Sequence, residues 1–457
     1  MGTNCVEKTR VGCAIAGMFT AIAIDGVLPV FHGGAGCIGM AEGFIGSANG
    51  RQGMVDYFNG AIPSTNLIES DVVFGAEKKL EKTIRTAKKF FDTDLITVIS
   101  GCASGIIGED VESVVSNFEG TQPPVVFADT PGFAGNNIFG HERVLDAIID
   151  GLATPVYNEG VEINPKQVNV FGIIPYYDPY WLGTYDAIEA LLAEVGLEAN
   201  VIYGPGKGKA AVEKIPQAAF NLVLSPWWDV ASVKKLEEKY KTPYLHYPNF
   251  PIGPTETKRF LKVLTEYAHL DEAVVDAYIK KKDERFYYYI KRSIDWMYGG
   301  KNLPQNFYAL VNSNLAVGIT KFLVNDFGYG PQLVFALDEP TDEVGVAKIF
   351  KEQLSELETD QEIKIEIVPD PADAMQKVRD HKKLHSFRAS QTIVFGSNWD
   401  KELAQETGSI FVPISAPVSK VIYARNYFGY DGGLTFLEDY YNSVENIGQR
   451  IREKEVS

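Results

Sequence analysis

The sequence predicts an α/β protein built from three Rossmann-like domains, each with a parallel β-sheet. Short runs rich in β-branched and aromatic residues alternate with helical stretches of ten or more residues, which is typical of β-α-β units. This alternation restarts twice along the chain. At about 150 residues per domain, 457 residues have room for three. We therefore predict domains at residues 1–160, 161–303 and 304–457.

The first domain contains three predicted strands and the helices between them. The strands are VLPVF from Val27, DLITVISGC from Asp94 and PPVVFAD from Pro123. The segment SDVVFGAEKKLEKTIRTAKKFF reads as a turn and then a helix, with an apolar stripe at Leu80, Ile84 and Ala87. GEDVESVVSNFE and FGHERVLDAIIDGLA complete the helices of this domain.

The same alternation continues in the other two domains. The predicted strands are QVNVFGIIP, EANVIYG, FNLVLSP, NFYALVNS, GPQLVFALDEP, IKIEIVPD, SQTIVFGSN and GSIFVPIS. The predicted helices are DAIEALLAEVG, SVKKLEEKYK, a long helical region over 256–298, AVGITKFLVNDFG, GVAKIFKEQLSEL and a closing helix, GGLTFLEDYYNSVENIGQRIREK. Gly196 suits the C-cap of the first of these helices.

Charge and hydropathy exclude several classes of partner. The net charge is -17, which disfavours binding to a nucleic-acid backbone. The apolar run VGCAIAGMFTAIAI is shorter than the about 20 residues of a transmembrane helix, and it leads into a glycine motif rather than a cleavage site. We therefore expect a cytoplasmic protein without a nucleic-acid or membrane partner.

All the cysteines lie in the first quarter of the chain, at Cys5, Cys13, Cys37 and Cys102. Secreted disulfide frameworks are short and dense in cysteine, unlike this chain. A local group of cysteines in a cytoplasmic protein indicates metal or redox chemistry. The alternative is that these cysteines are small buried hydrophobic residues.

Three of these cysteines are expected to meet at one edge of the first sheet. Cys37 follows the first strand and Cys102 ends the second, and functional groups collect at the carboxyl ends of parallel strands. Cys13 precedes an apolar stretch that could fold over that edge. Three thiols suit a soft metal or an iron–sulfur cluster. The glycine before each cysteine is expected to allow close approach and positive φ.

Other ligand classes fit the spacing less well. The chain has no C-x-x-C pair for zinc and no local ferredoxin motif, and three thiolates are one short of four, so another side chain or a second chain must complete the site. A G-x-G-x-x-G motif at Gly34, Gly36 and Gly39 leaves open a Rossmann-type binding module with core cysteines. Its expected acidic residue is only Asp56, with no convincing strand before it. The GPGKGK stretch at 204–209 favours a solvated turn over a phosphate site.

A few further residues have two interpretations each. His32 either relays protons or hydrogen-bonds within its turn. Glu109 and Asp110 are expected to cap the helix that follows, where negative charge is favoured. The aromatic groups PWWD at 226–229 and FYYYI at 286–290 are expected to be core or interface residues.

Several segments, in order, resemble elements of the nitrogenase component 1 family. CAIAG at Cys13 resembles C-x-P-x-G, and HGGAGC ending at Cys37 resembles H-G-x-x-G-C. ESDVVFGAEKKL resembles E-x-x-x-V-F-G-G, GCASGIIGEDVESVV resembles C-x-x-x-x-I-G-D-D, and TPGFAGNNIFGHE resembles T-P-x-F-x-G-S-x-x-x-G. Late in the chain, GSNWDKELAQETGSIFVPIS and FGYDGGLTFLEDYYN resemble the third domain and closing helix.

The resemblance implies a role for the first domain as the part that ligates a cluster. Cys13, Cys37 and Cys102 would hold half of a P-type iron–sulfur cluster, [8Fe-7S] or a [4Fe-4S] variant, shared with a homologous alpha-type subunit in a heterotetramer. Electrons would come from an iron-protein reductase that uses ATP. Cys5 matches nothing in the family, and no residue of this chain is expected to be catalytic.

The resemblance also bears on the type of subunit. Alpha-type chains hold the active-site cofactor with a later cysteine and a histidine, but this chain has no cysteine after Cys102, and about Ser419 stands at the histidine position. T-P-x-F is a beta-type feature, whereas ESDVVFGAEKKL is closer to alpha-type or scaffold chains. Gly132 stands where the molybdenum enzyme's beta chain has a serine that can bind the oxidised cluster.

These features predict a beta-type subunit of a nitrogenase or nitrogenase-like reductase. The alternative is a non-catalytic scaffold for cofactor assembly. The substrate could be dinitrogen, a methylthio compound or a tetrapyrrole.

Overall fold

The computed structural model describes residues 12–48, 62–294, 303–385, 392–418 and 421–456. Cys5, Asp56 and Ser419 lie outside these ranges. The described residues form three parallel sheets of three, four and five strands, with helices packed around each. The predicted fold class is thereby confirmed, while the exact domain boundaries stay predictions.

The first sheet has the order β1-β2-β3 and carries the cysteine segments. Its strands are β1 (Val27–His32), β2 (Leu95–Ser100) and β3 (Val125–Ala128). Its helices are α1 (Met18–Ile22), α2 (Ala35–Ala48), α3 (Glu69–Phe74), α4 (Glu77–Phe90), α5 (Cys102–Ile107), α6 (Val111–Ser116) and α7 (Asn137–Glu159). Every residue of β2 is buried, since helices cover both faces of a parallel sheet.

The second sheet has the order β5-β4-β6-β7. Its strands are β4 (Asn164–Phe171), β5 (Glu198–Asn200), β6 (Ala218–Leu224) and β7 (Tyr244–Tyr247). Its helices are α8 (Trp181–Glu194), α9 (Gly208–Glu213), α10 (Val230–Tyr240), α11 (Gly253–Ala268) and α12 (Glu272–Ile294). Three features differ from the sequence prediction. Strand β7 and helix α9 were not predicted, and the described part of the predicted helical region 256–298 is two helices, because His269 takes a left-handed conformation that ends α11.

The third sheet has the order β10-β9-β8-β11-β12. Its strands are β8 (Asn306–Val311), β9 (Gly330–Ala336), β10 (Ile365–Ile367), β11 (Thr392–Gly396) and β12 (Ile410–Pro413). Its helices are α13 (Ser313–Lys321), α14 (Glu343–Leu354), α15 (Pro371–Leu384), α16 (Lys401–Glu406) and α17 (Gly429–Val456). Helices α15 and α16 were not predicted, and α13 runs into a π-helical turn at Phe322–Asp326.

A buried carboxylate joins the second domain to the third. Asp338, just after β9, accepts hydrogen bonds at 2.9 Å from the indole N–H groups of both Trp227 and Trp228. The backbone N–H and the hydroxyl of Ser313 also donate to it, at 2.7 and 2.6 Å. The PWWD segment is therefore a domain contact, as one of the two sequence interpretations held.

A buried histidine joins the first domain to the second. His141 on α7 donates from Nε2 to Asp229 at 2.9 Å, so its Nδ1 accepts the hydrogen of Thr20, at 2.7 Å. Asp229 also accepts from the backbone N–H of Gly172 at 2.8 Å. These contacts fix the position of the first domain, which carries the cysteines, on the second.

Among the described residues, no helix is both long enough and apolar enough to cross a bilayer.

The carboxylate at the end of the π-helical turn gives a pH-dependent prediction. Oδ1 of Asp326 accepts from the Thr255 hydroxyl at 2.6 Å, but Oδ2 is buried without a hydrogen-bond partner in the described part of the chain. Burial raises the pKa of Asp326 to about 7. As the pH rises from about 4 to 7, the unfolded chain loses this proton before the folded chain does, so the stability contribution of Asp326 falls across that window.

We expect Asp326→Asn to stabilise the protein at pH 8, by on the order of 3 kcal/mol, and to have little effect at pH 4. Thermal melts of both proteins across that range measure the difference. Asp360→Asn, at an exposed position, is the control and should not change the pH profile. An equal loss of stability at both pH values would contradict the prediction.

Candidate functional site

Cys37 lies in the first turn of α2, directly after the buried strand β1. Its backbone N–H bonds to the carbonyl of Gly34 at 3.3 Å, which closes the turn. Gly34 and Gly36 have open space where a side chain would stand, so the backbone beside Cys37 is uncovered. Gly36 does not have positive φ, contrary to the expectation from the sequence. Its lack of a side chain leaves open space beside Cys37.

Cys102 is the first residue of α5, directly after β2. Strands β1 and β2 pair in parallel with His32 opposite Ser100, and the Gly101 N–H bonds to the His32 carbonyl at 2.9 Å. A Cβ on Gly101 would stand 2.8 Å from the ring of Phe31. Gly101 is therefore required by close packing, and it too lacks positive φ.

Cys13 reaches the same edge through the loop that follows β3. It pairs with Asn136 in an antiparallel bridge, and Ala14 N–H bonds to the Gly135 carbonyl at 3.1 Å. After Cys13 a short 3₁₀ helix, Ala14–Gly17, packs on the start of α7. The expectation that Cys13 folds over the sheet edge is therefore realised.

Gly132 marks the point at which two of the sulfur atoms meet. A Cβ on Gly132 would stand 3.0 Å from the Cys102 sulfur and 3.1 Å from the Cys13 sulfur. The Gly132 N–H itself donates to the Cys102 sulfur at 3.2 Å. A residue without a side chain at this position therefore leaves the two thiols room and supplies a backbone hydrogen bond to one of them.

The third thiol shares the electrostatic environment of the other two. Burial raises the pKa of Cys37, and the negative charges of the Cys13 and Cys102 thiolates raise it further. Repulsion between like charges opposes ionisation of Cys37 beside the other two thiols. A bound cation would remove the repulsion, since metal ions bind thiolates.

A buried histidine supports the turn that precedes Cys37. Nε2 of His32 contacts Glu109 at 2.7 Å, and Nδ1 contacts the Thr65 hydroxyl at 3.1 Å. The other oxygen of Glu109 accepts from the Ala76 N–H. Burial lowers the pKa of His32 against the opposing effect of Glu109. His32 thus has the hydrogen-bonding role, and it links the segments before Cys37 and after Cys102.

The two acidic residues after α5 have different roles. Asp110 caps α6 by accepting from the Ser113 N–H at 2.9 Å, as predicted. Glu109 does not cap this helix, because His32 and Ala76 occupy its oxygens.

Exposed apolar side chains surround the thiols. Met40, three residues after Cys37, is 80% exposed, and Ile106, four residues after Cys102, is 74% exposed. Phe133, next to Gly132, is 63% exposed. We call Met40, Ile106 and Phe133 the thiol rim. Cys13 itself is exposed, and the other two cysteines are half-buried. An exposed apolar surface around these thiols indicates a place that another protein covers.

The donor set suits an iron–sulfur group. Within the described ranges, no three His, Cys, Asp or Glu side chains are arranged to hold a single metal ion. Three thiols at an open edge, with glycine at the positions where side chains would fill the space, offer soft ligands and room for a larger inorganic group.

The glycine-rich stretches at 34–39 and 204–209 lie in turns that other contacts of the chain hold in place. The turn at 204–209 is held by the Gly206 N–H on Asp25 at 3.0 Å and by Lys207 on Glu189 at 2.5 Å. Lys209 lies 3.8 Å from Glu213, so both lysines of that stretch already face a carboxylate. The glycines at 34–39 lie in the turn that positions Cys37.

Residues 13–445 match the model of the family described as nitrogenase component 1 type oxidoreductase. This chain belongs to that family. The match begins at Cys13 and includes all three cysteines of the sheet edge, so the resemblance noted in separate motifs extends over nearly the whole chain.

The relatives of this family member include several kinds of chain. It is 23% identical over 335 residues to the nitrogenase molybdenum-iron protein beta chain of Azotobacter vinelandii, covering 68% of this chain and 60% of that one. It is 31% identical over 261 residues to the corresponding alpha chain of Rhodobacter capsulatus, covering 55% and 50%. It is 29% identical over 243 residues to the nitrogenase iron-molybdenum cofactor biosynthesis protein NifE of Nostoc sp., covering 51% and 47%. These matches thus span about half to three-fifths of the relatives' lengths.

The structure of nitrogenase Cp1 at pH 6.5 superimposes on this family member with a TM-score of 0.77. The alignment covers 98% of this chain and 96% of that one at 18% identity. At that identity the likeness establishes the fold.

Proposed function

We propose that this chain is the beta-type subunit of a nitrogenase or nitrogenase-like reductase, with Cys13, Cys37 and Cys102 as ligands of half an interfacial iron–sulfur cluster. The observation that carries the proposal is the meeting of the Cys13 and Cys102 sulfurs at Gly132, on the sheet edge where Cys37 follows the adjacent strand β1. The cluster would be of the [8Fe-7S] P type or a [4Fe-4S] variant, and when bound it would accept and pass on single electrons.

The chain's own residues would hold and tune this group. The three thiolates supply half of the ligands, and the Gly132 N–H stabilises negative charge on one of them. The His32–Glu109 contact would hold the segments that carry Cys37 and Cys102 in fixed positions relative to each other. The thiol rim would pack against a homologous alpha-type subunit, which supplies the other ligands and holds the substrate site.

Partners follow from the same proposal. An iron-protein reductase that uses ATP would deliver the electrons, and the alpha-type chain would pass them to substrate within a heterotetramer. The chain would act in the cytoplasm.

The deciding measurement is an iron count and an anaerobic ultraviolet–visible spectrum of the protein co-expressed with its component-1 partner. We expect a brown complex whose iron content falls by about half or more in Cys37→Ala, because an iron–sulfur group loses a thiolate ligand. Cys5→Ala is the matched control and should keep its iron, since Cys5 resembles no ligand of the family. A colourless wild-type protein, unaffected by Cys37→Ala, would contradict the proposal and favour a binding module with core cysteines.

A non-catalytic assembly scaffold is the second candidate, supported by the 29% identity to the cofactor biosynthesis protein NifE. Both candidates predict bound iron, so a measurement of substrate turnover is needed to distinguish the enzyme subunit from the scaffold. The iron-loaded complex is mixed with an iron-protein reductase and ATP and tested with dinitrogen, methylthio compounds and tetrapyrroles. Reduction of any of these supports the enzyme. Transfer of a metal cofactor precursor to an acceptor protein, without reduction, supports the scaffold.

A further inference from the structure

A small cavity lies where the three domains meet. Its volume is about 30 Å³, and its walls come from segments that follow strands of all three sheets. Ligands of parallel α/β proteins bind at such carboxyl ends of strands. The polar residues in the walls include Asn137 from the first domain, Tyr177 from the second, and Asn312, Asp338 and Ser415 from the third.

One polar atom in these walls has no protein partner. Asn137 is 1% exposed, and its Oδ1 accepts no hydrogen bond from the described part of the chain. Turning the amide by 180° would put an N–H group in the place of this oxygen, so a partner is needed in either orientation. Buried polar groups without a partner are costly, and native proteins pair nearly all of them with protein atoms or with ordered water.

The neighbouring polar side chains are already bonded elsewhere. Oδ1 of Asn312 accepts from the Leu315 N–H at 3.0 Å and so caps α13. The carboxylate of Asp338 accepts from the two indole N–H groups described above. Neither side chain can turn toward Asn137 without breaking these bonds.

The cavity has the size and the chemistry of a hydration site. A cavity needs roughly 10–15 Å³ to hold a water molecule, which in turn needs two to four polar partners. The volume of about 30 Å³ and the polar residues in the walls meet both conditions. Organic ligands need pockets of about 300–1,000 Å³, so this cavity is too small for them.

The first and third domains are in direct contact beside the cavity. Nδ2 of Asn136 donates to the carbonyl of Glu339 at 2.7 Å. Oδ1 of Asn136 also caps α7, because it accepts from the Ile138 N–H at 3.0 Å. The start of α7 is thus fixed against the segment after β9. A water molecule beside this contact would lie between the same two domains.

We propose that this cavity binds ordered water that donates to Asn137 and bridges it to Asn312 and Ser415 of the third domain. A bridging water is enthalpically nearly as good as a direct hydrogen bond. The bridge adds a contact between the first and third domains to the domain contacts made by His141 and Asp338. The inference does not depend on the iron–sulfur group.

A crystal structure of the purified protein, at a resolution that shows ordered water, tests the proposal. We expect density for a water oxygen about 2.5–3.2 Å from the Asn137 side chain and from Asn312 or Ser415. A cavity without density, or water that contacts no residue of the third domain, would overturn the proposal. A second crystal is soaked in rubidium chloride, and an anomalous signal from the cavity would overturn it in favour of a monovalent cation site.

Asn137→Leu and Ile138→Val distinguish the role of the amide from that of the cavity. Both residues line the cavity, but only Asn137→Leu removes a polar group, and it does so with a side chain of similar size. We expect the water density to be lost in Asn137→Leu and kept in Ile138→Val. Full water density in Asn137→Leu would contradict the role assigned to Asn137. The wild-type structure decides whether water is bound even if Asn137→Leu does not fold.

Discussion

If the proposed iron–sulfur half-site is correct, Gly140→Ala is expected to lower the iron content of the complex as far as Cys37→Ala does. Gly140 lies at the start of α7, and a Cβ there would stand 2.6 and 2.8 Å from the carbonyl carbon and Cα of Ala14. Real Cβ atoms are not found at such distances, and the atoms in the way are backbone, which cannot rotate aside. The segment that follows Cys13 must therefore move, and the Cys13 sulfur moves with it away from Gly132.

The same substitution should destabilise the protein by about 3 kcal/mol, because overpacking a tight contact forces backbone shifts. A side chain on Gly17 would likewise clash with the backbone of Gly140. The 3₁₀ helix therefore has no free space into which it can move. Iron per chain and thermal melts measure both effects. Wild-type iron in Gly140→Ala would show that Cys13 does not depend on this packing.

Gly39→Ala is the matched control on the helix that carries Cys37. No atom lies within 4 Å of the position of its Cβ. Alanine is favoured over glycine within a helix, so this variant should keep its iron and be as stable as the wild type or slightly more stable.

Lys321→Met is expected to cost about 3 kcal/mol of stability, because it removes the buried cation that pairs with the buried carboxylate of Glu256. Nζ of Lys321 lies 2.9 Å from Glu256 and 2.6 Å from Glu356, and the lysine side chain is fully buried. Glu256 is also buried and accepts from the Tyr247 hydroxyl at 2.5 Å. After the substitution, Glu256 keeps this hydroxyl and the partly exposed guanidinium of Arg259, at 3.4 Å.

The double variant Lys321→Met/Glu256→Gln should recover part of the loss, since it removes the buried carboxylate charge together with the lysine. Lys348→Met is the control, because Lys348 pairs with Glu352 at 3.8 Å on an exposed helix face, where ion pairs contribute little. Thermal melts compare the variants. A Lys321→Met protein as stable as Lys348→Met would mean that the buried pair contributes nothing.

Most strands and helices could be predicted because their signals are local. The strands VLPVF and LITVIS are apolar runs bounded by glycine, and α4 buries the three residues of its apolar stripe. The elements that the sequence did not predict have local patterns that do not resemble buried strands or helices. Strand β7 contains a histidine within YLHY, and α15 is rich in charge, so neither resembles a buried element. His269 interrupts a continuous helical pattern through its backbone conformation, which the residue type does not reveal.

The candidate site could be predicted in part for the same reason. Cys37 and Cys102 end adjacent parallel strands, and pairing of those strands brings them to one edge whatever the rest of the chain does. The contact between His32 and Glu109 had no local signal, because 77 residues separate them and they meet only when the segments after β1 and β2 pack together.

The sequence by itself determined the α/β class, the three sheets and which cysteines could act together, since hydrophobic periodicity and strand ends are properties of neighbouring residues. The tertiary structure alone decided that Gly132 meets the sulfurs of Cys102 and Cys13, and that Lys321, within an apolar run, has Glu256 as its partner. Such contacts join residues far apart in the chain, and their geometry depends on how whole elements pack. No local pattern encodes that packing.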